Sequence, residues 1–219
     1  MSIPLKLLNV AAPWLEELFL RYPALANARH SILKAVETLR NTFERGGKLI
    51  ICGNGGSAAD AEHICGELMK GFLKKRSLNF EFRTKLLAIG ADSGWVDCLQ
   101  IGLPVIPLTA ASALGSAISN DLGDGLVFAQ QVLALGKPGD TLLAISTSGC
   151  SANVIRAILV AKTLGMTTVG LTGGIGGELV ALCDATIIAP GTLTYQIQEY
   201  HLPIYHSLCV ILEEYFFVE

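Results

Sequence analysis

The sequence predicts an α/β protein whose central parallel sheet is covered by helices on both faces. Apolar runs of strand length recur along the chain, helical stretches lie between them, and glycine- or serine-rich turns follow two of the runs. Strands buried on both faces read as continuous apolar segments rather than alternating ones, and these do. The first is Lys48–Cys52. Leu103–Thr109, Thr141–Ser146, Thr167–Thr172 and Ala185–Ala189 follow.

The helical elements are read from three- and four-residue spacing. Within the first 45 residues Leu15, Leu18 and Phe19, then Ile32, Leu33, Val36, Leu39 and Phe43, mark two helices. Pro13 and Pro23 are expected to punctuate them, and Gly46-Gly47 closes the second. Ala152–Leu164 and Gly177–Leu182 read as helices between strands, and a long pattern from about Gln196 to Phe217 closes the chain. Pro203 falls inside it, where it removes one backbone hydrogen bond and is expected to kink the helix. Lys74–Gly102 is poorly patterned, with Phe80, Phe82 and Trp95 among charges, and reads as an inserted excursion or lid. The expected organisation is one domain over residues 1–219, with a helical segment at 1–46 and an insertion at 73–102.

Composition narrows the function classes. With 51% hydrophobic and 16% charged residues, the chain must bury much of its surface in its own core or against copies of itself. A net charge of −3 leaves no nucleic-acid footprint. The local basic cluster Lys70, Lys74, Lys75 and Arg76 reads as a solvated helix end or a patch for an anionic substrate. The six cysteines form no Cys-x-x-Cys pair and lie largely in apolar runs, as reduced core residues do. No apolar run reaches the roughly 18 residues of a membrane helix, so a soluble, cytoplasmic protein is expected, with no membrane partner.

Two polar loops carry the chemistry. After the first strand comes Gly53-Asn54-Gly55-Gly56-Ser57, opening a helix that bears His63 and Glu67 four residues apart on one face. After the third comes Ser146-Thr147-Ser148-Gly149-Cys150-Ser151, also opening a helix. Ligands of open parallel sheets bind at the carboxyl ends of the strands, so both loops fall on one rim. Their hydroxyls and helix-start N–H groups make a phosphate site without Lys or Arg. Such residues also serve simply as caps and turns, but two loops at equivalent positions favour the ligand. In the last helix Gln198 and His206, eight residues apart, share a face, while His201 and Glu199 point elsewhere. With His63 and Glu67 they make four nitrogen and oxygen donors suited to zinc. Spacing alone does not bring the two helices together.

These blocks, with Asn120-Asp121, Ile145–Asn153 and Ile197–His206, resemble the sugar isomerase (SIS) family, and within it most closely the phosphoheptose isomerases. The resemblance covers nearly the whole chain, in the family's order. It implies a flavodoxin-like three-layer sandwich with N-terminal helices, assembled as a homotetramer whose sites draw on neighbouring subunits. It places the sugar at Asn54, Gly55, Gly56, Ser57, Asn120, Asp121 and Gln198, and the phosphate at Ser146, Thr147, Ser148 and Ser151. It assigns zinc to His63, Glu67, Gln198 and His206, and acid–base catalysis to Glu67 and His206.

The implied reaction is aldose–ketose isomerisation of a sugar phosphate, most closely sedoheptulose 7-phosphate, through an enediol. A carboxylate in a dry site and a histidine titrating near neutrality suit its proton transfers, with either residue acting at carbon. Cys150 stands where the family loop usually has Asn, and Tyr195 where it often has Asp. The excursion beside the Glu67 helix is the largest departure and keeps a different ketose phosphate open as substrate. A non-catalytic member that senses a sugar phosphate or binds a protein is the alternative from another class. Cys65, turned away from the His63–Glu67 face, reads as packing.

Overall fold

A computed structural model describes residues 3–217. Its sheet contains strands β1 (Leu49–Gly53), β2 (Val105–Pro107), β3 (Thr141–Ile145), β4 (Thr167–Gly173) and β5 (Ala185–Ala189), in the spatial order β2-β1-β3-β4-β5. All pairs are parallel, with Leu49 opposite Thr141 and Gly53 opposite Ile145. The chain leaves β1 towards one sheet edge and returns from β2 to β3 on the other side. This reversal opens a crevice at the carboxyl ends of β1 and β3, where the two polar loops lie.

Alternate strand residues feed two apolar layers. Leu49, Ile51, Leu143, Ile145, Val169, Leu171 and Ile187 face helices α1 (Leu5–Arg21), α2 (Arg29–Glu44), α3 (Gly56–Met69) and α10 (Thr194–Phe216). Ile50, Cys52, Leu142 and Ala144 face α7 (Val127–Leu135), α8 (Ala152–Thr163) and α9 (Leu179–Leu182). The expected three-layer α/β architecture is therefore present. The crossover from β2 also carries α6 (Ser112–Leu122), which, like α7, the sequence reading did not mark. No helix among the described residues is long and apolar enough to cross a membrane.

Several expectations need correction. Pro13 does not end a helix: α1 runs through it, because Leu7, Ala11, Leu15 and Leu18 form one buried stripe that packing holds on both sides of the proline. Pro23 does break the chain, starting a short 3₁₀ turn over Pro23–Ala28. Pro203 is accommodated within an unbroken α10, buried, with the Ser207 hydroxyl donating to its carbonyl at 2.9 Å. The six cysteines are all free. Cys52 and Cys209 are buried, Cys65 and Cys183 partly covered, but Cys98 and Cys150 are exposed in loop segments.

The segment after α3 contains two short helices, α4 (Phe80–Ala88) and α5 (Ser93–Val96), and an antiparallel bridge between Ser77 and Gln100. Its root is fixed by Arg76, which is not a solvated cluster member but a buried one. The Arg76 Nε donates to Glu213 Oε1 at 2.8 Å, Nη1 to the Leu68 carbonyl at 2.7 Å, and Nη2 to the Glu67 carbonyl at 3.1 Å. Glu213 also accepts the Phe72 and Leu73 N–H groups, both at 2.8 Å. Burial alone would raise the Glu213 pKa. The backbone donors and Arg76 outweigh it, and the carboxyl titrates below its usual range. One guanidinium thus caps α3 and ties it to α10.

Two predictions follow from these buried groups. Arg76→Ala leaves the Glu213 charge uncompensated, so urea unfolding is expected to show a loss of about 3–5 kcal/mol. His201 is fully buried in α10, with Nε2–H donating to the Thr172 carbonyl at 3.2 Å. Burial pushes its pKa down to about 4, against a partial opposing pull from that hydrogen bond. A depressed histidine contributes its stability fully above the unfolded pKa and loses it as pH falls. Unfolding free energy is therefore expected to drop by about 3 kcal/mol between about pH 6.5 and 4. The same pH series on His201→Gln should be flatter; an unchanged slope would assign the loss elsewhere.

Candidate functional site

The first loop owes its shape to glycine. Gly55 caps α3 at φ +56°, a region that disfavours side chains, and the Ser57 N–H closes the turn on the Asn54 carbonyl at 3.0 Å. In the second loop Gly149, at φ +67°, sits so close to the Gly176 carbonyl that a Cβ would stand 2.0 Å from its oxygen. The Gly173 N–H donates to Thr147 and the Leu179 N–H to Gly149, so the loop is backed by the segment after β4. Asn54 and Asn153 join the two loops by a reciprocal amide pair, each Nδ2 donating to the other Oδ1 at 2.9 Å. Asn153 was within the quoted motif, but sequence gave it no role; its partner lies 99 residues away.

Between the loops is a cavity of about 300 Å³, lined by Asn54, Gly55, Gly56, Ser57, Ile145, Ser146, Thr147, Ser151, Thr194 and Gln198. Ser151 precedes α8 but does not cap it; its hydroxyl pairs with that of Ser146 at 2.9 Å. The hydroxyls are thus turned to each other and the cavity rather than spent on capping. Ser148 accepts the Cys150 N–H at 3.2 Å and does not line the cavity. Asn120 and Asp121, hydrogen-bonded to each other at 2.8 Å on α6, are exposed and also lie outside it.

A second group forms where α3 lies along α10. His63 Nε2 stands 3.1 Å from Glu67 Oε1 and 3.5 Å from His206 Nε2. His63 Nδ1 meets the Tyr205 hydroxyl at 2.9 Å. The His206 ring packs against Phe72, His63 and Tyr205 and borders a cleft of about 380 Å³ that Trp14, Arg21 and Tyr22 also line. Burial, with His63 and Arg21 nearby, lowers the His206 pKa despite the opposing Glu67 charge, which favours the neutral imidazole. Gln198 is held apart from this group. Its carboxamide covers Gly56, where a Cβ would lie 2.4 Å from Nε2. Cys65 packs on Met69 and the Val105 carbonyl, as its position off the shared face implied.

The donor chemistry suits zinc. Ligands at bond lengths of about 2.0–2.2 Å and tetrahedral angles stand about 3.3–3.5 Å apart. The His63–His206 spacing of 3.5 Å is of that size, while the 3.1 Å between His63 and Glu67 is that of a hydrogen bond. The set is not closed about one point: among the described residues no three His, Cys, Asp or Glu side chains form a ready metal cage.

Comparison with known proteins agrees with this architecture. Residues 19–81 and 88–173 match the SIS domain family model. The chain is 44% identical over 188 residues to the phosphoheptose isomerase of Roseiflexus sp. strain RS-1, covering 86% of this chain and 83% of that one. It is 42% identical over 185 residues to that of Campylobacter jejuni strain 81116, covering 84% and 87%. The solved phosphoheptose isomerase of Neisseria gonorrhoeae superposes with a TM-score of 0.70 at 31% identity, covering 93% of each chain. That of Francisella tularensis gives 0.68 at 32% identity, covering 93% of this chain and 92% of the other. The chain belongs to the SIS domain family.

The Gly56–Gln198 contact generates a prediction. Gly56→Ala must push the Gln198 carboxamide off the cavity wall while leaving backbone contacts intact. Calorimetric titration with a sugar phosphate is expected to show at least about a tenfold weaker Kd, or about 1.4 kcal/mol, with little change in Tm.

Proposed function

We propose that this protein is an aldose–ketose isomerase that converts sedoheptulose 7-phosphate to D-glycero-D-manno-heptose 7-phosphate through an enediol. The observation that carries this reading is the approach of His63 to both Glu67 and His206 on α3 and α10, the two helices whose N-terminal turns also line the hydroxyl-rich cavity at the strand ends. The names and structures of the relatives support the same substrate.

In this reading Ser146, Thr147, Ser148 and Ser151, with backbone N–H groups at the start of α8, hold the phosphate. Asn54, Gly55, Gly56, Ser57 and Gln198 hold the sugar, joined by Asn120 and Asp121. A neutral phosphate site binds the ester without a cation that would compete for the catalytic carboxylate. Glu67 takes the carbon-bound proton, and His206 moves protons between the two oxygens; the exchanged assignment uses the same groups. The lowered His206 pKa leaves it able to accept a proton at neutral pH. Zinc held by His63, Glu67, Gln198 and His206 would withdraw charge from the substrate oxygens as the enediolate forms. Exposed apolar side chains such as Leu5, Leu20, Phe80, Ile89 and Ile175 support assembly of copies into a homotetramer. Leu73, at the start of the 73–102 excursion, lines the cleft that His206 borders, which supports a role for the excursion in shaping the mouth of the site.

The test is incubation of the purified protein with sedoheptulose 7-phosphate, with and without zinc, and detection of the aldose product. Glu67→Gln and His206→Ala are expected to lose about 10²–10⁴-fold in kcat, the usual contribution of positioned acid–base groups. Full activity in Glu67→Gln contradicts the assignment. Tight binding of the ester without turnover points instead to another ketose phosphate or to a sensor.

A further inference from the structure

The two polar loops are each held from behind by separate parts of the chain. The glycine loop is fixed on α3, where the Ser57 N–H donates to the Asn54 carbonyl and the Ala58 N–H to the Gly55 carbonyl, both at 3.0 Å. The serine loop leans on the segment after β4, through the Gly173 N–H on Thr147 and the Leu179 N–H on Gly149. Among the described residues, the reciprocal amide pair of Asn54 and Asn153 supplies the only side-chain hydrogen bonds that cross between the two loop–helix junctions. Asn153 Oδ1 also accepts the Val154 N–H at 3.0 Å, which fixes that end of the amide as oxygen and turns Nδ2 towards Asn54 Oδ1. The pair is exposed, where water would serve the same amides, so it adds little to folding. It does join the two sides of one cavity, which Asn54 lines.

We propose that Asn153 is a positioning residue that, through Asn54, sets the distance between the loop that holds the phosphate and the loop that holds the sugar. This rests on the assignment of phosphate and sugar to those two loops, but not on turnover. An ester gripped at both ends makes its second contact intramolecularly, and the gain is largest when the two grips are held at the spacing of the ligand. Without the amide pair each loop keeps its own backing and its own shape, while the spacing between them is free to vary. The pair spends one N–H of each Nδ2 and leaves the other. Asn54 thus keeps an N–H for the sugar, and Asn153 fixes the direction in which it points.

The test compares two probes, sedoheptulose 7-phosphate and inorganic phosphate, by calorimetric titration of wild type, Asn153→Ala, Asn54→Ala and the double variant. Asn153→Ala is expected to bind the ester about tenfold more weakly, the size of coupling between residues in contact, and inorganic phosphate within about twofold of wild type. Its Tm should be retained. Inorganic phosphate needs only the serine loop, so the split between the probes reports the spacing rather than the loop itself. The double variant should bind the ester no more weakly than Asn54→Ala alone. Where the ester turns over, Asn153→Ala should raise KM by the same factor and leave kcat within about twofold, as loss of uniform binding does. An unchanged ester Kd in Asn153→Ala, equal losses for the two probes, or additive losses in the double variant would overturn the proposal. A wild type that does not bind both probes overturns it together with the assignment of the loops. Binding of both probes without turnover removes the isomerase reading alone.

Discussion

Helices α3 and α10 lie side by side and run in the same direction, and contacts along their whole length keep them in register. At the rim the Gln198 carboxamide covers Gly56. Midway Tyr205 and His206 meet His63. At the far end Glu213 receives Arg76, whose guanidinium also holds the Glu67 and Leu68 carbonyls. A shift of one residue along a helix moves a side chain about 1.5 Å and turns it by about 100°, which would separate every one of these pairs. The buried ion pair is poor evidence for added stability but a good device for register, since removing either partner is costly.

The sheet supplies the second requirement. Because β1 and β3 are neighbours whose connections depart in opposite directions, both polar loops open onto one crevice. The Asn54–Asn153 pair then locks loop to loop, while the glycine contacts behind Gly149 hold the serine loop at its depth. The lining of the crevice is hydroxyls, amides and glycine backbone, with no charged side chain among the residues around the cavity.

Most of the sheet was legible because strands buried on both faces leave unmistakable apolar runs. Thr141–Ser146, for example, differs from β3 by a single terminal residue. The loops were legible because only glycine tolerates the backbone of Gly55 and Gly149. Pro13 misled because propensity sees one missing hydrogen bond, whereas the fold weighs a buried stripe extending on both sides of it. Arg76 misled because its neighbours in sequence are lysines, while its partner Glu213 is 137 residues away. Tyr205 and Asn153 were invisible for the same reason: their contacts exist only once α3, α8 and α10 are packed. The resemblance named the four donors, but only the packed helices show that Glu67 and His206 approach His63 while Gln198 turns to the loops.

In the proposed reaction a carbon-bound proton moves at the α3–α10 contact. Incubation with sedoheptulose 7-phosphate in deuterium oxide, followed by NMR of substrate and product, observes that proton directly. Enediol chemistry predicts solvent deuterium at C2 of the aldose and at C1 of recovered ketose, and predicts that Glu67→Gln abolishes both while the ester still binds. Bound ester with every carbon–hydrogen bond intact and no aldose formed would contradict it.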